Sequence, residues 1–317
     1  MTADLTGTKA LVTGADGFLG ANLVRALVRA GASVHATVRR REAERLDGVS
    51  GALRLHVADV KDPSALRRVV AETRPSVVYH LAVRRAEAAP EDRAETFATN
   101  VLGAANLLDA CASVPLRALI ALGGSLENGP SASPIPESAE PRPHTFYGAT
   151  KAAATLICQR TALAEDRPIV VLRPSVVYGP WQRPDVLVSK AIAAALTGGE
   201  LTLTEPGHRR GWVFVDDVVD ACLLAARREL PPGSVVNVGS PRQDTNEDVV
   251  AAVEAATGRP IRTARAALPP RPWDGLTWTP DIDRARELLG WEPRHSLELG
   301  IEKTVSWFRE QPVVSST

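Results

Sequence analysis

Short apolar runs alternate with longer amphipathic stretches through the first half of the chain. KALVT (9–13), SVHATV (33–38), RLHVADV (54–60), SVVYHLA (76–82), LRALIALGG (116–124) and PIVVLRP (168–174) are rich in apolar and β-branched residues. They read as strands of a mostly parallel sheet covered on both faces. Between them GANLVRALVRAG, SALRRVVAET, a stretch near 94–112 and one from about 148 to 164 carry helical periodicity. The alternation is that of repeated βαβ units, so the fold class is α/β, a Rossmann-type doubly wound sheet. Beyond Pro174 the pattern loosens. DVLVSKAIAAALTGG reads as a helix and LTLTE as a short strand, while WVFVDDVVDACLLAAR and VVNVG look like a return to the sheet. NEDVVAAVEAATG, the Pro/Arg-rich stretch 262–280, DIDRARELLG and LELGIEKTVSWFRE form a smaller α/β lobe. The expected division is a dinucleotide-binding domain over 1–173, rejoined by 212–240, with a substrate lobe from 174–211 and 241–317.

Charge narrows the partners. Lys+Arg and Asp+Glu both number 37 in 317 residues, so no net field draws the protein to nucleic acid or an anionic membrane, and a small molecule is the expected partner. The N-terminal stretch has no signal pattern and no run reaches the roughly 20 apolar residues of a membrane span; a cytoplasmic location is expected. Cys111, Cys158 and Cys222 lie far apart in apolar stretches and the six histidines are scattered, which predicts buried thiols and no metal site.

TGADGFLG (13–20) sets Gly14, Gly17 and Gly20 between a strand and a helix. Gly14 permits the tight turn, Gly17 lets the backbone approach a pyrophosphate, and Gly20 lets helix and sheet pack closely; Phe18 and Leu19 complete the loop. The second strand ends in VRRR, with Arg39 and Arg40 where an acid would hold a ribose 2′-hydroxyl. Guanidinium groups there suit a 2′-phosphate, so NADP(H) is the expected cofactor, with NAD(H) as the alternative. Asp59 and Val60 at the end of the third strand are placed to meet the adenine, and Leu81 and Ala82 end the fourth strand beside the phosphates. Tyr147 and Lys151, in YGATK, share one helix face. An adjacent ammonium favours the phenolate and fits the tyrosine for proton transfer near neutrality.

With these motifs in order, and with ADVKD, TNVLGAANLLDAC, LRPSVVYGP, RRGWVFVDDVVDA, NVGS and DIDRARELLGWEP, the chain resembles nearly end to end the extended short-chain dehydrogenase/reductases, in their nucleotide-sugar epimerase, dehydratase and ketoreductase branch. The resemblance implies that Tyr147 is the general acid or base, that Lys151 binds the nicotinamide ribose, and that Asn100 orders the active-site helix. It also implies a Ser or Thr beside the reacting oxygen. Relatives read SSxxVYG, with that hydroxyl five residues before the glycine. Here the stretch is GGSLENG, and the count back from Gly129 falls on Gly124. A loop slipped by one residue would bring in Ser125; Thr145 would be a replacement; otherwise Tyr147 acts alone. Ser125 is the reading taken, since it is the only hydroxyl in the segment and flanking glycines ease the slip.

The resemblance further assigns Arg210 and Arg271 to a sugar-nucleotide diphosphate, and Val83 and Val176 to the substrate side. Val176 stands where relatives often carry Asn, and Gly211 where they carry Asp. Trp181, Trp212 and Trp273 are candidates to stack on a base or line the sugar, against a core or rim role. Arg84 and Arg85 lie just past the nicotinamide edge, with substrate and solvent both open as their contacts. Dehydratases carry an acid pair beside the hydroxyl, whereas Glu127 stands alone. The arginine-ended strand favours NADPH-dependent reduction of a nucleotide-linked 4-keto-6-deoxysugar. The alternatives are a nucleotide-sugar 4-epimerase using bound NAD, a reductase of a non-nucleotide carbonyl, and a non-catalytic NADP(H) sensor. The alanine-rich faces near 94–112 and 148–164 point to a homodimer.

Overall fold

A computed structural model describes residues 4–85, 90–131, 133–203, 209–265 and 278–310. In chain order the elements are β1 (Lys9–Thr13), α1 (Phe18–Arg29), β2 (Ser33–Val38), β3 (Leu53–Val57), α2 (Pro63–Thr73), β4 (Val77–His80), α3 (Pro90–Phe97), α4 (Gly103–Ala110), β5 (Ala118–Leu122), α5 (Phe146–Glu165), β6 (Ile169–Pro174) and β7 (Val176–Tyr178). The chain continues with α6 (Leu187–Thr197), β8 (Glu200–Leu203), β9 (Arg209–Arg210), β10 (Trp212–Phe214), α7 (Val215–Ala225), β11 (Val235–Val238), β12 (Asp244–Thr245), α8 (Asn246–Thr257), β13 (Arg262–Arg265), α9 (Asp283–Leu289) and α10 (Leu297–Glu310).

Seven strands form one parallel sheet in the order β11-β6-β5-β4-β1-β2-β3. The period-two alternation assigns each strand's residues to opposite faces. Ala118, Ile120 and Leu122 of β5 join one buried cluster with Ala10 and Val12, while Leu119 and Ala121 join the other with Leu11. Strand order reverses between β1 and β4, the switch point at which such sheets bind ligands. A third cluster, around Tyr178, Trp212, Phe214, α6, α8 and α10, is the core of the smaller lobe.

Two stretches differ from the sequence pattern. Trp212–Phe214 does not join the large sheet but pairs in parallel with β7, because Trp212 and Phe214 are buried in the lobe's cluster with Tyr178; VVNV does join it, as β11. The helix expected near 94–112 is broken by a π turn, Ala98–Leu102, between α3 and α4. That turn buries Asn100 to 2% exposure, and π turns of this kind often serve to aim a side chain. Cys111, Cys158 and Cys222 are all buried thiols.

The glycine loop is built of close contacts. Gly14 has φ +66°, and a Cβ there would lie 2.6 Å from Ala82 N; a Cβ on Gly20 would collide with Gly14 O and lie 2.9 Å from Ala15 Cα. We expect Gly20→Ala to lower stability by about 1–3 kcal/mol through overpacking. Chemical denaturation of the two proteins measures this, and an unchanged midpoint would show that α1 moves off the sheet without cost.

Candidate active site

At the switch point the loop from β1 and the loop from β4 are stitched together. The fully buried Thr13 hydroxyl lies 2.8 Å from His80 Nδ1 and accepts the Ala82 N–H at 3.3 Å. Burial, with Lys151 nearby, pushes the His80 imidazole down to about 3, so it is neutral. Gly17 is the N-cap of α1, with no side chain capping the helix and no acid in its first turn. The uncapped, half-buried helix N-terminus and the side-chain-free backbone at Gly14, Gly17 and Gly20 make a cradle that fits a dinucleotide pyrophosphate. Phe18 and Leu19 are partly buried and pack toward the lobe's cluster, and Leu81 is buried beside Ala82.

Arg39 and Arg40 are exposed at the end of β2. Asp59 holds the turn after β3, accepting Lys61 N–H at 2.9 Å. Val60 is buried against Gly103, where a Cβ would lie 2.7 Å from its Cγ2. Nothing in the residue pattern singles out Arg45, which joins two loops here. Arg45 donates to the carbonyls of Asp16 in the glycine loop and Trp181 after β7, at 3.3 and 3.0 Å. Trp181 holds φ +70°, with the Arg25 guanidinium 4.3 Å from its ring centre and Trp307 on it as well. It is therefore a packing residue that joins the lobe to α1.

The catalytic side chains stand at the start of α5. Thr145 caps that helix, its hydroxyl accepting Gly148 N–H at 2.9 Å; this occupies the hydroxyl considered as a replacement for the missing serine. Tyr147 is half-buried and Lys151 is 7% exposed. Lys151 Nζ donates to the Leu122 carbonyl at the end of β5. Asn100 spans the gap between α5 and the β4 loop: Oδ1 accepts Arg84 N–H at 2.8 Å, and Nδ2 donates to Arg84 O and to Thr150 Oγ1, both at 2.9 Å. Thr150 in turn donates to Tyr147 O at 2.8 Å. Ser125 opens a 3₁₀ turn, Ser125–Glu127, directly after β5. The turn abuts the first turn of α5 so tightly that a Cβ on Gly148 would collide with Leu126 O.

Glu127 does not face the site. It is fully buried, accepting Gly124 N–H at 2.7 Å and Thr155 Oγ1 at 3.1 Å on Oε1, and Arg173 Nε at 3.1 Å on Oε2. GSLEN and LRP are both visible in the sequence, yet nothing in their spacing shows that this acid and this arginine pair.

Burial pushes the Tyr147 phenol up to about 12; Arg85 opposes the shift and Glu127 adds to it. Burial lowers the Lys151 ammonium, and Glu127 counters that.

On the substrate side, Val83 is exposed at the mouth beyond Ala82, and Val176 on β7 is half-buried beside Trp212. Arg84 is taken up by an ion pair with Asp92 of α3 at 2.5 Å, whereas Arg85 is exposed. Arg210 lies on β9, paired with Asp244 of β12. A Cβ on Gly211 would lie 2.6 Å from Ser240 O, so the backbone passage there admits no aspartate without a shift. Trp212 is buried, its Nε1 donating to Asp244 O at 3.3 Å. Arg271 and Trp273 lie outside the described residues. Among the described residues no cluster of His, Cys, Asp and Glu is able to hold a metal, and no helix is long and apolar enough to cross a membrane.

A dinucleotide cradle at the switch point, with a Tyr/Lys pair on the helix beside it, defines a nicotinamide-dependent enzyme of the extended short-chain dehydrogenase/reductase type. Residues 10–239 match the model of the NAD dependent epimerase/dehydratase family, and the chain belongs to that family. It is 32% identical over 314 residues to the UDP-glucose 4-epimerase of Mycolicibacterium smegmatis, covering 96% of this chain and 99% of the relative. It is 29% identical to the dTDP-glucose 4,6-dehydratase of Neisseria meningitidis, covering 95% and 93%. Among solved structures, the UDP-glucuronic acid 4-epimerase of Bacillus cereus, in complex with UDP-glucuronic acid and NAD, superposes with a TM-score of 0.86 at 26% identity over 95% of this chain and 99% of that one.

The protein has three tyrosines, and burial raises Tyr79, Tyr147 and Tyr178 alike. A spectrophotometric titration of the cofactor-free protein at 295 nm should show no tyrosinate below about pH 11 while it stays folded. A transition near the ordinary value of about 10 would mean that Tyr147 is solvated or that a cation offsets its burial.

Proposed function

We propose that this protein is a nicotinamide-dependent nucleotide-sugar 4-epimerase. The observation that carries the reading is the composition of the site: Tyr147 and Lys151 stand at a dinucleotide cradle beside the Ser125 turn, while Glu127, the acid of that turn, is withdrawn into the core. Elimination of water needs an acid directed at the leaving hydroxyl, so the arrangement supports reversible oxidation at one carbon over dehydration. The epimerase relatives and NAD in the B. cereus structure favour epimerisation over the single reduction expected from the sequence.

Gly14, Gly17, Gly20 and the α1 N-terminus would hold the pyrophosphate, Asp59 and Val60 the adenine side, and Lys151 the nicotinamide ribose. When bound, the nicotinamide takes up and returns a hydride at the sugar carbon. Tyr147 accepts the 4-hydroxyl proton as that carbon is oxidised and returns it on reduction. Burial holds the phenol at about 12, with Arg85 opposing the shift; Lys151 would favour the phenolate by its charge. Ser125 donates a hydrogen bond to the reacting oxygen. Arg210 and Arg271 would neutralise the diphosphate.

One observation favours a second reading, an NADPH-dependent 4-ketoreductase: Arg39 and Arg40 are exposed at the end of β2 with no acid before Glu42. A homodimer is part of the proposal, because Phe97, Leu102, Leu156 and Leu163 leave apolar surface on α3, the π turn and α5.

The protein supplied with UDP-glucose and no added cofactor should form its C4 epimer, followed by proton NMR of the sugar. Tyr147→Phe should lower kcat by about 10²–10⁴, and Ser125→Ala by about 10²–10³. Ser125→Ala with wild-type turnover would contradict the slipped-turn assignment. Consumption of one NADPH per keto-sugar, without interconversion of epimers, would support the second reading instead.

A further inference from the structure

We propose that Glu127 is a positioning residue for the catalytic turn: its carboxylate, anchored by Arg173, holds the Gly124 N–H and so fixes where the Ser125 hydroxyl meets Tyr147. The inference rests on the reading that Ser125 and Tyr147 act on the same substrate oxygen.

The first support is connectivity. One side chain joins three elements, with Oε1 taking the Gly124 N–H of the turn and the Thr155 hydroxyl of α5, and Oε2 taking Arg173 Nε of β6. Thr155 lies eight residues beyond Tyr147, two helical turns along the same helix. The carboxylate therefore ties the residue preceding Ser125 to the helix that carries the phenol.

The second support is space. A Cβ on Gly123 would sit 2.5 Å from Glu127 Oε1 and 3.2 Å from Thr155 Oγ1. The missing side chain at residue 123 is what admits the carboxylate, so Gly123 and the acid of GGSLENG form one device. At Gly124 a Cβ would meet nothing within 4 Å, so the part that residue plays is its backbone N–H, the donor that Glu127 accepts.

The third support is cost. Glu127 is fully buried and Arg173 is 5% exposed, with Nη1 of Arg173 finding no partner among the described residues. A well-packed apolar pair at such a site is often as stable as the ion pair or more so. An ion pair kept here against that cost is accounted for by geometry at the turn.

The charge also reaches the reacting groups. Glu127 raises both the Tyr147 phenol and the Lys151 ammonium. The other groups that act on them are Arg85 on Tyr147, and Cys158 of α5 and His80 of β4 beside Lys151; Arg93 of α3 lies over the neighbouring Phe146 ring, and Arg173 of β6 is paired with Glu127 itself. Removing the carboxylate charge shifts both Tyr147 and Lys151 the same way, to lower values.

The test is a mutant cycle in the full-length protein with UDP-glucose. Glu127→Leu/Arg173→Met replaces the pair with apolar side chains and is expected to fold. Its kcat should fall about 10²-fold, with KM changed less than about threefold, because the lost contact acts on the transition state. Adding Ser125→Ala to it should cost less than about threefold more, against the full loss seen in the wild-type background, since Ser125 is already out of place. Full, additive loss from Ser125→Ala would overturn the proposal. Glu127→Gln keeps an acceptor for Gly124 but not the charge; both limbs of its kcat–pH profile should move to lower pH, and an unmoved profile would contradict the account. Amide hydrogen exchange at Gly124 needs no turnover and so separates this proposal from the epimerase reading: it should speed up about tenfold or more in the double variant while α5 amides stay protected. Unchanged protection at Gly124 would overturn the positioning role even if the reaction proves to be a different one.

Discussion

The turn after β5 meets α5 with bare backbone. A Cβ on Gly148 would collide with Leu126 O, Lys151 reaches back to Leu122 O, and Glu127 accepts from Thr155 on the helix and Gly124 in the turn. The spacing of phenol, ammonium and serine hydroxyl follows from this approach, because all three are carried by the two segments it joins. Asn100 adds the third side by bonding the β4 loop to Thr150, which is why a π turn interrupts the helix that presents it. A carboxylate takes the central place because the turn offers a backbone donor, the helix a hydroxyl donor and β6 a guanidinium, and one acidic side chain accepts from all three.

Much of this was legible in the residues. Six apolar runs of the first half are strands of the sheet, and TGADGFLG predicts the loop whose glycines the contacts at Ala82 and Gly14 O require. YGATK places Tyr147 and Lys151 where α5 begins. Local pattern failed where the deciding contact is distant in sequence. WVF has the look of any buried strand, but its partner is β7 and not the large sheet. Glu127 reads as a lone acid beside a catalytic hydroxyl, where dehydratases carry a pair, until Arg173, 46 residues later, turns it inward. Trp181 has the composition of a base-stacking residue, and packing against Arg25 and Trp307 gives it another task.

The electrostatics of the centre form one scheme. His80 is kept neutral beneath Lys151, so the lysine's charge is not shared with a second cation. Burial alone would leave the Tyr147 phenol too weak an acid to exchange protons near neutrality, and Arg85 works against that burial. The end of β2 stands apart from this agreement. Its arginines suit a phosphorylated ribose, whereas the family and the B. cereus structure are described with NAD. Both arginines are exposed.

That choice of dinucleotide separates a recycled oxidant from a consumed reductant, and it is open to direct reading. The measurement is the mass of the nucleotide released by denaturing the purified protein, taken with the absorbance at 340 nm before and after UDP-glucose is added to the intact protein. The account predicts NAD near one per chain, with a rise at 340 nm as substrate oxidation populates the reduced form. NADP(H) as the released species, or an empty protein that binds NADPH in strong preference to NAD, would contradict it.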